Sequence, residues 1–177
     1  ESLSYAEAVE LAYFGAKVIH PKTIQPLKDK KIPLVVRSFV DSIIDGTVVS
    51  EGAEIKPFLP SFIVKENQVL LSISAQDLSF IVEDHLSHIF LLFSKYGVRV
   101  NMMQNSAVSF SVCIDGDVQK VPPLIDALNK EYQVLYNDEV TLHTIRHYND
   151  DSMSKVLNGK TLLLEQKSRH TVQLVVQ

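Results

Sequence analysis

What most limits how this chain can fold is the alternation of strand-like and helix-like stretches between residues 69 and 136. Val69-Leu70-Leu71-Ser72-Ile73 has the apolar, β-branched content of a strand. Asp84 then precedes Leu86, Ile89, Phe90, Phe93 and Tyr96 at helical spacing, so Asp84 is the expected cap and Gly97 the expected stop. Val98 to Met102 and Val108 to Ile114 alternate as strands do, and Asp115-Gly116 marks a turn after the second. Pro122 and Pro123 can open a helix through Leu124, Ile125 and Leu128, and Tyr132 to Leu135 reads as a closing strand. The order is β-α-β-β-α-β. Each helix has one apolar stripe to bury, and an antiparallel sheet offers a face that can cover both.

The flanks read differently. Ser4 and Glu7 have the spacing of a capping box, with Tyr5, Ala8, Val9, Leu11 and Ala12 at helical spacing and Gly15 as stop. A helix with no lead-in is expected of a chain cut from a longer protein. His20-Pro21 introduces a second helix that ends in the charged run Lys28 to Lys31, read as a solvated helix end. Leu34 to Phe39 and Thr47 to Val49 are expected strands, and Glu51 to Pro60 a linker. Phe62-Ile63-Val64 is a short strand, with Asn67 as a turn before the next one. After the central unit come a strand from Val140 to Ile145, a helix from Asp150 to Leu157, and a hairpin of Leu162 to Leu164 with Val172 to Val176. This tail is one strand short of a second unit, and residues 62–64 could supply it. The fold class is therefore α+β: a ferredoxin-like unit nested with a second, shortened one, behind a helical and strand segment.

Composition narrows the function. The 177 residues carry 17 Lys+Arg against 21 Asp+Glu, a net charge of −4 that disfavours nucleic-acid binding. A single cysteine makes no internal disulfide, and no apolar run approaches the ~20 residues of a membrane-spanning helix. The first residues lack the basic start and apolar stretch of a signal peptide, and a reducing cytoplasm is expected. His85 and His88, with Glu83, and His143 and His147 match no established metal spacing, so no metal site is expected and these histidines read as surface or capping groups. Cys113, between Val112 and Ile114, reads as a buried structural thiol. The third strand of the central unit has no basic residue for stacking RNA, and the loop Ala75-Gln76-Asp77-Leu78-Ser79 has neither the arginine nor the glycines of an acylphosphatase.

Two loci stand above this background. In Glu10-Leu11-Ala12-Tyr13-Phe14-Gly15-Ala16-Lys17-Val18-Ile19-His20-Pro21, helical periodicity does not explain why Lys17 follows the Gly-Ala pair; a cation at a helix end is one reading and a functional lysine the other. In Val98 to Val108, a strand edge meets a polar turn offering Asn101, Gln104, Asn105 and Ser106. Such groups, with backbone amides, could hold the ammonium and carboxylate of a free amino acid, or could simply close a hairpin.

Residues 10–27, ELAYFGAKVIHPKTIQPL, resemble the end of the catalytic domain of aspartokinases, and Ile32 to Phe39 with Gly46-Thr47 are similar to the next segment of those enzymes. Residues 62–145 resemble the regulatory ACT domain of that family, with Met103-Gln104-Asn105-Ser106 as the local match, and the tail resembles a shortened second ACT unit. The resemblance implies that residues 1–60 are the end of the kinase domain plus a linker, residues 69–138 a first ACT domain, and residues 61–68 with 139–177 a second. It implies that Lys17 approaches the ATP phosphates, with ATP and Mg serving only the intact enzyme, and that Arg99, Val100, Asn101, Asn105 and Ser106 hold an amino-acid effector. The implied activity is phosphorylation of L-aspartate under feedback inhibition by an end product, lysine or threonine, in a homodimer paired through its ACT domains. An ACT scaffold that binds no effector is the alternative. Lysine-regulated members carry Asp at the position of Asn101 and Glu at that of Ala107. The amino-terminal lysine-glycine-glycine segment is missing, so this stretch alone is expected to be inactive, with no catalytic residue of its own.

Overall fold

The computed structural model describes residues 1–177 except Lys17, Ser42 and Leu78. Two compact units emerge, one formed by Glu1–Ile63 with Thr144–Met153 and the other by Val64–His143 with Ser154–Gln177.

In the first unit, β1 (Ser2–Ser4) leads directly into α1 (Tyr5–Phe14). The Ser4 hydroxyl accepts from the Glu7 amide, and Gly15 ends the helix in the left-handed conformation at φ 117°. α2 (Pro21–Asp29) starts with Pro21 in its first turn and the His20 ring as cap. β2 (Leu34–Val36) and β3 (Thr47–Ser50) follow, and the sheet runs β1-β3-β2 with β1 parallel and β2 antiparallel to β3. The strand expected through Phe39 stops at Val36, leaving Phe39 and Val40 exposed. Tyr5, Ala8, Ile24 and Val49 form a small core, and the Tyr5 hydroxyl donates to the Ile32 carbonyl.

β4 (Ser61–Ala75) replaces the two strands and turn expected around Asn67. Asn67 does adopt a left-handed conformation, at φ 52°, but the strand resumes in line instead of reversing. The Asn67 carbonyl accepts from the Gly116 amide and its side chain donates back to the Gly116 carbonyl, so the irregularity is tied to the neighbouring turn. α3 (Glu83–Lys95) is capped by Val82 without a side-chain bond; Asp84, the expected cap, lies inside the first turn beside Glu83, where a carboxylate still favours the positive helix end. β5 (Val100–Asn105), β6 (Ser109–Asp115) and α4 (Val121–Leu128) come next. β5 is longer than expected and takes Met103, Gln104 and Asn105 into the strand, which confines the turn to residues 106–108. β7 (Tyr132–Arg146) likewise merges two expected strands through a left-handed Glu139 at φ 53°. α5 (Asp150–Leu157), β8 (Leu162–Lys167) and β9 (Thr171–Val176) complete the chain.

The long strands build a six-stranded sheet of order β5-β6-β4-β7-β9-β8. Strand alternation divides its residues between two clusters. Val69, Leu71 and Ile73 of β4 with Phe110, Val112 and Ile114 of β6 pack on Ile89 and Phe93 of α3 and Leu124 and Leu128 of α4. Cys113 and Met102 pack instead with Val140, Leu142 and Val175. The architecture is α+β, as the element order requires.

Candidate functional site

The residues expected to hold an effector line up along one strand. Arg99 is exposed just before β5, Val100 begins it, Asn105 ends it, and Ser106 opens the turn to β6. At about 3.3 Å per residue, Asn101 and Asn105 stand roughly 13 Å apart. One copy of the strand thus offers two separate polar ends. β5 is also the first strand in the sheet order, with a neighbour on one side only among the described residues.

Asn101 sits at a β-bulge, because the register passes from Val100 opposite Ile114 to Met102 opposite Cys113. The extra residue aims its side chain into a polar network. Asn101 Nδ2 donates to Gln68 Oε1 at 2.7 Å and to Asp115 Oδ1 at 2.8 Å, while its Oδ1 accepts from Lys65 Nζ at 2.8 Å. Both amide protons are therefore used. Gln68 is only 3% exposed, and its Nε2 donates to Asp115 Oδ1 and to the Glu66 carbonyl, each at 3.1 Å. Burial acts to raise the Asp115 pKa, but the hydrogen bonds from Gln68 and Asn101, with Lys65 and Arg99 nearby, hold it below the usual carboxylate value.

The other end is a tight turn. Ser106 Oγ lies 2.8 Å from Ser109 Oγ and accepts from the Ser109 amide at 3.2 Å. The loop after β4 is tied to the same turn, since the Ile81 amide donates to the Ala107 carbonyl at 2.9 Å. Asn105 is exposed beside it. Lys17 lies outside the described residues.

Cys113 is fully buried, and burial, followed by the nearby Asp115 charge, pushes its thiol up to about 12. It is a packing residue, as its apolar neighbours suggest. Two histidines depart from the surface reading. His143 is 9% exposed, its Nε2 lies 3.2 Å from Lys160 Nζ, and burial lowers its pKa. His147 Nε2 lies 3.1 Å from Glu7 Oε1, and its ring packs on Phe58. His88 meets the Tyr132 hydroxyl at 3.1 Å. Among the described residues, no group of three His, Cys, Asp or Glu side chains could hold a metal.

One constellation escaped sequence reasoning. Arg146 grips Glu7 with two nitrogens, Nε at 3.1 Å and Nη2 at 2.7 Å, Glu7 being buried and Arg146 largely so, and Nη1 reaches Glu10 at 3.7 Å. The capping-box spacing correctly indicates the Ser4 bond to the Glu7 amide, but the Glu7 carboxylate turns to Arg146, which is 139 residues away in sequence. Nothing local signals such a partner.

No protein-family model matches the chain. It is 32% identical over 114 residues to chloroplastic aspartokinase 1 of Arabidopsis thaliana, a match covering 64% of the chain and 20% of that protein. Its fold superposes on the allosteric aspartate kinase of Clostridium acetobutylicum with a TM-score of 0.83 at 20% identity, over 100% of this chain and 45% of that one. It also superposes on Escherichia coli aspartokinase III in complex with lysine and aspartate, with a TM-score of 0.78 at 23% identity, over 99% of this chain and 42% of that one. The chain spans about a fifth of the length of the curated relatives it matches. No described helix is long and apolar enough to cross a membrane.

Proposed function

We propose that this chain, related to aspartokinases in sequence and fold, is the regulatory region of an enzyme that converts ATP and L-aspartate to 4-phospho-L-aspartate, and that it binds an end-product amino acid. In this reading residues 69–138 form one ACT domain and residues 61–68 with 139–177 a second, shortened one. Residues 1–60 are the end of the catalytic domain and its linker. Lys17 contributes to the ATP phosphate site, where positive charge offsets that of the transferred group and its Mg. With the rest of the nucleotide and aspartate sites on other segments, the 177 residues are not a kinase by themselves.

The observation that carries the regulatory reading is the sheet edge at β5, with polar groups at both ends. Two copies pairing antiparallel along this edge, centred on Met103, set Asn101 of one opposite Asn105 of the other. A free amino acid too short to bridge the ends of one strand then meets both at once. Half-exposed Met103 lies at the centre of that contact. An effector bound between two copies prefers one arrangement of the pair, and that differential affinity is what shifts a kinase equilibrium.

Thermal unfolding against lysine, threonine, methionine and aspartate tests the reading. A ligand at 100 times its dissociation constant adds about 2.7 kcal/mol, worth several degrees for a chain of this size. A midpoint raised by at least one of them is the expected result. No shift with any of the four at millimolar concentration would leave the ACT units as a dimerisation scaffold and overturn the effector site.

A further inference from the structure

We propose that a cleft lined by β4, α4 and β7, sharing no residue with the β5 edge, takes a linear aliphatic amine with two or more cationic nitrogens. The proposal does not depend on the effector reading above. The cleft has a volume of about 410 Å³, a size common among small-molecule sites. Buried Val69 and Val121, with partly buried Ile125, make its floor, and exposed Val118, Pro122 and Tyr136 continue that apolar surface outward. Adjacent residues of a regular strand face opposite sides of a sheet, so Asp138 and Glu139 would not line one cleft. The left-handed Glu139, at φ 53°, breaks the alternation, and both residues line it. Asn67, the left-handed residue of β4, lines it too, so the irregular positions of both long strands fall here.

Charge and apolar surface together set the ligand class. The lining includes no Lys, Arg or His. Asp117 is already occupied, accepting from the Gln119 and Lys120 amides and pairing with Lys120 Nζ at 3.4 Å. Asp126, Asp138 and Glu139 have neither a hydrogen bond nor an ion pair among the described residues. Their field favours a cation and disfavours an anion. The cation is not a metal ion, because among the described residues no three carboxylates gather closely enough to hold one. Carboxylates spread around an apolar floor suit separated charges joined by methylenes: the stem leaves water on Val69, Val121 and Ile125 while its ends stay at the acidic rim. The Tyr136 ring adds an aromatic surface that also attracts cations.

Isothermal calorimetry on the 177-residue chain at low ionic strength, with spermidine, cadaverine, pentylamine and magnesium chloride as probes, tests this. Spermidine or cadaverine binds at millimolar concentration or below. Cadaverine binds about tenfold more tightly than pentylamine, which has the stem but one charge, and than magnesium, which has the charge but no stem. Asp138→Asn with Glu139→Gln weakens cadaverine by about tenfold. Asp29→Asn with Glu54→Gln removes two carboxylates elsewhere and leaves its affinity within about twofold. Silence from both polyamines would overturn the proposal, as would magnesium or pentylamine matching cadaverine. So would an equal loss in the second variant, which would mean general attraction to an acidic protein. If the cleft variant does not fold, amide chemical shifts of the wild type decide: cadaverine moves those of Gly116, Val118 and Tyr136, and changes confined to other residues would overturn the assignment. None of these probes carries a carboxylate, so their failure leaves the effector reading standing.

Discussion

Burying Glu7 against Arg146 takes two charges out of water, and their attraction offsets that loss only because the geometry is bidentate. Burial alone would raise the Glu7 pKa, yet the Arg146 guanidinium and His147 bring it below its ordinary value of 4.5. A carboxylate with a depressed folded pKa lends stability above its unfolded value and loses it as the pH falls through the folded one. Stability is thus expected to drop as the pH falls below about 4.5. Arg146→Met leaves a buried carboxylate without its main partner and should cost about 3–5 kcal/mol near neutral pH. The double variant Glu7→Met with Arg146→Met should cost clearly less than the single one, read from urea unfolding midpoints. Equal or greater cost for the double variant would mean that packing, not charge pairing, dominates here. Asn101 teaches the same lesson at the candidate site: its position near a strand edge is readable from alternation, but Lys65, Gln68 and Asp115 converge on it only through the sheet.

Among the elements, the long strands β4 and β7 each pass through one left-handed residue, Asn67 and Glu139, without ending. Asparagine tolerates that conformation through its short polar side chain, whereas glutamate has no such allowance. Glu139→Gly relieves the local strain at the cost of greater freedom in the unfolded chain, so stability should change little or rise by up to about 1 kcal/mol. Glu139→Val places a β-branched residue in the same conformation and should destabilise by about 1–2 kcal/mol. Urea unfolding of the pair measures the difference, and a more stable Glu139→Val would refute the left-handed backbone at this position. Turn chemistry at Asn67 is visible in the sequence, but whether a chain reverses or continues there depends on the neighbouring Gly116, whose amide binds the Asn67 carbonyl. The helices were easier to read. Pro21 and Gly15 act through their own backbone preferences, while the start of α3 at Val82 lacks any side-chain cap to announce it.

At the scale of the whole molecule, β5 stands at one end of the six-stranded sheet, with a neighbour on one side only among the described residues, and the proposed association of two copies uses that edge. Under the proposed antiparallel pairing, Met103 of one copy faces Met103 of the other. Met103→Lys sets two like charges opposite each other and should turn a dimer into a monomer at micromolar concentration in analytical ultracentrifugation. A dimer that survives this change would place the contact elsewhere. The same variant should also lose any amino-acid effect on the unfolding midpoint, since the two polar ends of β5 no longer meet.

Residue order alone was enough to specify the helices, the period-two strands, the α+β class and the buried thiol of Cys113, because spacing, caps and apolar alternation act over a few residues. It also carries the similarity to aspartokinases. Three outcomes came from the folded chain instead: Asn67 and Glu139 continue their strands, Glu7 meets Arg146, and Lys65 takes the Asn101 oxygen. The two side-chain pairings join groups 36 and 139 residues apart in one sheet or one buried pair. Contacts of that span leave no period or motif in the chain, because their energy exists only once the backbone has brought the partners together.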